Sequence, residues 1–169
     1  MKLGGSTMSM TLHRVTLLAA AVALALCLPS LACADDTADA ARIDKLLKQA
    51  GLTFEKKNES VWVVKQHGDN LGDYKEVLAI GDGLLVIFVT IARDADIPHT
   101  EELEYKMLQL NHKLDRVKVE IDDDGDADVR ADVTVRTLDT AELKEEVHQV
   151  AASADEVYAD IKPYLAPER

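Results

Sequence analysis

Five aspartates crowd into seven residues, Asp122-Asp123-Asp124-Gly125-Asp126-Ala127-Asp128, and they are the side chains of this sequence best suited to hold something. Hard cations such as calcium take clustered carboxylates as ligands. With Gly125 at the sixth position of a calcium loop, Glu120, Asp122 and Asp124 fall at positions 1, 3 and 5. Position 12, which needs a bidentate glutamate, falls on Ala131. An Asp-Gly pair between two alternating stretches is also a strong hairpin-turn signal. The segment is therefore read as a turn, with Asp122, Asp124, Asp126 and Asp128 kept as candidate metal ligands. Other chemistry is sparse. His67, His99, His112 and His148 stand apart, without any zinc-binding spacing. No nucleophile elbow, Gly-rich phosphate loop or dinucleotide fingerprint occurs. No catalytic residue and no cofactor is expected, and the protein is expected not to be an enzyme.

The elements that position these residues follow from periodicity. Residues 37–50 read as a helix, because Ile43, Leu46, Leu47 and Ala50 recur at i, i+3, i+4 and i+7, and Gly51 can end it in the left-handed conformation. Thr53 to Lys57 is a weak strand candidate, Val61 to Val64 a clearer one and Tyr74 to Ile80 another. Leu84 to Ala92 is apolar on both pleat faces except at Thr90, as a central strand covered on both sides would be. Thr100 can cap a helix whose buried stripe is Leu103, Met107, Leu110 and Leu114, and Asn111 and His112 can pin its exit to the next strand. Val117, Val119 and Ile121, then Val129, Ala131, Val133 and Val135, alternate with polar residues around the aspartate turn, a hairpin with one wet face. Asp139 and Glu142 form a capping box for the last helix, and Leu138 and Leu143 a hydrophobic staple. The resulting order, α-β-β-β-α-β-β-α, implies an α+β fold with a mostly antiparallel sheet.

The N-terminus reads as an export signal. Lys2, His13 and Arg14 precede Val15 to Leu28, which is apolar apart from Thr16, and Leu31-Ala32-Cys33-Ala34 offers a small-residue cleavage site before Asp35. Fourteen residues rise only about 21 Å as a helix, short of the ~30 Å hydrocarbon layer, which argues against an anchor. Cleavage between Ala34 and Asp35 is expected, giving residues 1–34 as signal peptide and 35–169 as one soluble domain in the periplasm or outside the cell. Lipid attachment at Cys33 is disfavoured, because Ser30, Leu31 and Ala32 fit the lipoprotein pattern poorly. Cleavage after Ala34 also discards both cysteines, Cys27 and Cys33. It removes Lys2 and Arg14 but no acid, leaving 17 basic against 31 acidic residues, a formal charge of −14 over 135 residues. Such a surface opposes binding to nucleic acid or an anionic membrane face, and no membrane-spanning segment remains after cleavage.

The order of elements, with its local words, resembles the YbjN family, which has the type III secretion chaperone-like fold. The words are Val61-Trp62-Val63-Val64, Gly83-Leu84-Leu85-Val86, the run Leu108 to Val119, Asp122-Asp123-Asp124-Gly125-Asp126 and Ala154-Asp155-Glu156-Val157-Tyr158, together spanning about residues 40–162. The resemblance implies that fold and a homodimer; it carries over no catalytic motif. The doubly apolar strand adds a further expectation. Trp62, Val86 and Phe88 are candidate residues of a surface covered by a second copy or by an apolar segment of a protein partner. The reading is a non-enzymatic binding or chaperone-like module. Two rivals are a calcium-binding module through Asp122 to Asp128 and an acidic inhibitor of a basic envelope-acting enzyme.

Overall fold

The chain divides into two units, Met1–Ala34 and Asp35–Arg169, and the structure, a computed structural model, describes residues 32–166. The signal peptide expected at residues 1–34 thus lies almost wholly outside the described residues. Helix α1 runs from Ala32 to Gln49, five residues longer at its start than its apolar stripe predicts. It buries Ile43, Leu46 and Leu47. Gly51 ends it at φ 71°. The Gly51 N–H bonds the Lys48 carbonyl at 3.2 Å and the Leu52 N–H the Leu47 carbonyl at 3.3 Å, which satisfies the last turn's orphan carbonyls.

Four strands follow: β1 Phe54–Asn58, β2 Val61–Gly68, β3 Gly72–Gly81 and β4 Leu84–Ala92. After them come helix α2 Glu101–Lys113, strands β5 Lys118–Ile121 and β6 Ala127–Thr134, and helix α3 Thr140–Ile161. The strands form one antiparallel sheet in the order β1-β2-β3-β4-β6-β5. The α+β class and the antiparallel sheet are as read from the sequence, with one strand more before α2 than the expected order counts. That strand is β1, the weak candidate read at Thr53 to Lys57, an edge strand exposed along four of its five residues.

The order puts β4 inside the sheet, between β3 and β6. Its residues Leu85, Ile87, Val89 and Ile91 are buried in a single core with stripes from the three described helices: Ile43 and Leu47, Leu103 and Met107, Leu143 and Val150. Thr100 caps α2, its hydroxyl accepting from the Leu103 N–H at 3.3 Å. Asn111, near the end of α2, bonds both backbone groups of Val119 (2.9 and 2.8 Å) and so pins β5. His112 stays exposed and takes no part. Asp139 caps α3 through the Glu142 N–H at 2.9 Å, and Leu138 and Leu143 are fully buried. The Glu142 carboxylate turns to Arg116 at 3.3 Å.

One carboxylate ties the last described helix to an early turn. Asp155 on α3 accepts from the backbone N–H groups of Asn70 (2.9 Å) and Leu71 (2.8 Å) and from the Asn70 amide (2.9 Å), closing the β2–β3 turn. Gly68 has no room for a side chain because Asp155 stands where a Cβ would go.

Candidate functional site

The register of the sheet settles which side chains share a face, because paired residues point the same way. One row reads Glu55, Val63, Val77, Phe88, Arg130 and Lys118 across all six strands. The neighbouring row reads Val61, Ala79, Val86 and Asp132. Both rows lie on the face opposite the helices: none of Val63, Val77, Ala79, Val86 and Phe88 belongs to the helix-covered core. Val77, Ala79, Val86 and Phe88 are only half-buried. The stripe is therefore open, and Leu84, exposed at its end, extends it.

Strand β4 is central, as expected, and the described helices cover one of its faces. One correction follows. Trp62, expected on the partner surface, is fully buried on the helix side. It pairs with Leu78. Its indole N–H donates to Asp44 of α1 at 3.0 Å, and the Lys56 ammonium stands 5.4 Å from its ring centre. Hydrogen bonds from Lys48, then from Trp62, hold the Asp44 carboxyl below the usual range. Val86 and Phe88 both lie on the open face. The residues that complete the surface, Val63, Val77 and Ala79, were not singled out in the sequence, although their strand parity relative to Phe88 would have found them once the register was known.

Charges border the stripe. On the β5–β6 side Arg130 reaches Glu120 (2.7 Å) and Asp132 (2.7 Å), while Lys118 reaches the same two carboxylates at 3.2 and 3.1 Å. The four form a closed, neutral ladder. Partial burial would raise the Asp132 carboxyl, but the hydrogen bonds from Arg130 and Lys118 prevail and lower it. On the β2–β3 side Lys65 stands opposite Lys75. An incoming segment with apolar side chains and an acidic end would meet compatible partners here.

The aspartate run is a turn. The Asp122 carboxylate accepts from the N–H groups of Asp124 and Asp126, each at 2.9 Å, and Gly125 takes the positive φ. Asp126 is held by the Asp94 N–H at 2.9 Å and by the Arg93 guanidinium, which keep its carboxyl low. Asp124 is exposed, and Asp128 lies in β6 beside Thr90 and Glu120. Burial, with Asp122, Glu120 and Asp126 nearby, raises the Asp128 carboxyl, and its Oδ1 has no hydrogen-bond partner. The four candidate ligands do not converge: among the described residues no group of three or more His, Cys, Asp or Glu side chains is arranged to hold a metal ion. No described helix is long and apolar enough to cross a membrane.

Comparison with known proteins adds a lineage to this geometry. Residues 39–163 match the family model of YbjN, described as "Putative bacterial sensory transduction regulator". No curated protein matches the chain at a significant level. Solved structures share its fold. The crystal structure of YbjN from E. coli is 15% identical, with a TM-score of 0.52 over 76% of this chain and 96% of that one. A chain of the heterodimeric ExoU–SpcU complex from the type III secretion system of Pseudomonas aeruginosa is 19% identical. Its TM-score is 0.51 over 75% of this chain and 99% of that one. A chain of the ExsC–ExsE complex is 10% identical, with a TM-score of 0.51 over 83% and 100%.

Proposed function

The chain belongs to the YbjN family, and on that premise we propose that it is a non-enzymatic binding module, exported by its N-terminal signal and active as a homodimer. It docks an apolar segment of a protein partner on the open sheet face. One observation carries the reading: a connected apolar stripe of half-buried side chains, Val77, Ala79, Val86 and Phe88, continued by the buried Val63, with no described helix over it. Apolar patches that a soluble protein leaves uncovered commonly serve binding. Two neighbours of the same fold come from structures of protein complexes, ExoU–SpcU and ExsC–ExsE, which supports a protein as the ligand.

Export sets the compartment in which the partner is met. N-terminal sequencing of the cellular product is expected to begin at Asp35; a product that keeps Met1 to Ala34 removes the periplasmic or secreted assignment. The docking surface is tested by capture from an envelope extract with wild type and with Phe88→Asp as bait. A protein retained by the wild type and lost from a folded Phe88→Asp variant supports the site, whereas equal retention by both refutes it.

A further inference from the structure

A channel runs along the open stripe. On β3 the side chains of this face shrink from Val77 through Ala79 to Gly81. Val63 and Val61 of β2 stand on one side of them, and Phe88, Val86 and Leu84 of β4 on the other. A Cβ added at Gly81 would meet nothing within 4 Å. The apolar surface is three strands wide, about 10 Å. Charge closes it on both flanks, through Glu55 of β1 and the Arg130–Asp132 ladder of β6.

One end of the channel is cationic. Lys65 and Lys75 stand opposite each other, one pleat step beyond Val63 and Val77 on the same face. Both are exposed, and neither makes an ion pair or a side-chain hydrogen bond among the described residues. The acids beside them are taken: Asp73 bonds His67 at 2.6 Å, and Glu55 bonds Lys57 at 2.6 Å. Like charges directly opposite each other destabilise a sheet. In a chain of 31 acidic and 19 basic residues, a lysine pair left without a carboxylate marks where an external one belongs.

We propose that the partner segment is a single amphipathic α-helix lying along β3, with an acidic turn seated on Lys65 and Lys75. The proposal rests on the docking reading above and names the chemistry of its ligand. A channel about 10 Å wide matches the diameter of one helix. From Lys75 to Gly81 it runs about 20 Å, the length of about 13 helical residues. A facing sheet would extend past the three apolar strands and cover Glu55 and the ladder, whereas one helix leaves them as a wet rim. The helix therefore presents apolar side chains at i, i+3 or i+4 and i+7 to the valines and Phe88, and carboxylates one turn beyond that seam. The area is at the small end of specific interfaces, so a dissociation constant on the order of tens of micromolar, weakened by salt, is expected.

Fluorescence anisotropy of labelled synthetic peptides with the purified product of the full reading frame tests the proposal. The probes are helical peptides with a leucine seam and a glutamate turn at the N-terminal or the C-terminal end, the same peptides with lysines in that turn, and a glutamate peptide broken by a central proline. One glutamate peptide should bind, and its lysine counterpart should bind about tenfold or more weaker. The double variant Lys65→Glu/Lys75→Glu should reverse that order, and Phe88→Asp should abolish binding of both, each with circular dichroism unchanged. Equal binding of the glutamate and lysine peptides overturns the acidic turn. Equal binding of the proline peptide overturns the helix, and binding of no peptide overturns both. If capture of an envelope protein still depends on Phe88 in any of these cases, the docking face stands without this ligand; if that dependence is also absent, both readings fall.

Discussion

At the scale of single residues, the chain buries carboxyl groups it does not fully satisfy. Glu76 on β3 is fully buried; its Oε2 accepts from the Gln66 amide at 2.7 Å and its Oε1 has no partner. Burial raises its pKa from 4.5 to about 8. The folded protein therefore holds this proton where the unfolded chain has released it. The stabilisation is complete below pH 4.5 and declines as pH rises, until it is lost above about 8. Replacing Glu76 by Gln should leave stability near pH 5 little changed and raise it near pH 9 by on the order of 3–5 kcal/mol. Urea midpoints at the two pH values check this; the same difference at both would remove Glu76 as the cause. Nothing in the sequence marked Glu76, because an acid within an alternating strand reads as a wet-face residue. Trp62 was misplaced for a related reason. Val61 to Val64 is apolar at every position, so parity cannot tell which side faces the core; the docking of α1 and the Asp44 bond decide it.

At the scale of elements, local rules were legible and long-range pairing was not. The caps at Thr100 and Asp139 and the stop at Gly51 depend on a few neighbouring residues, and all three stand where the sequence put them. The Asp139→Ala variant should lose about 1 kcal/mol. Thermal or urea unfolding measures that loss, and no loss would mean that the cap is worth nothing in this context. Strand β1 illustrates the opposite case. Its five residues are held by pairing with β2 and by little burial of their own, so the sequence marks Thr53 to Lys57 only weakly as a strand. The charged ladder is likewise a product of register: Arg130 meets Lys118 only because β6 and β5 pair at that step. Shifting β5 by one residue would point Lys118 and Glu120 into the core, and shifting β6 would do the same to Arg130 and Asp132, so the network also guards the alignment.

At the scale of the whole fold, the three described helices lie on one side of a six-stranded sheet and leave two surfaces uncovered among the described residues, the open stripe and the outer face of α2. The first was half legible: Val86 and Phe88 stood out in a strand apolar on both faces, while their companions needed the sheet order. The second was hidden, because Tyr105 and Leu108 fell outside the stripe that explained α2. Substitution at either surface should separate function from stability. Val86→Asp and Phe88→Asp are expected to change the unfolding free energy by about 1 kcal/mol or less while abolishing partner capture. Variants that instead unfold would return both residues to the core.

The bridge from Asp155 to the β2–β3 turn has a kinetic consequence. The amides of Asn70 and Leu71 find their acceptor about 85 residues further along the chain, so the turn cannot lock until the last helix has been made and has settled on the sheet. Those two hydrogens form a built-in timer. In pulse-labelling exchange during refolding they should become protected together with the amides of α3, later than the paired strand positions beside them.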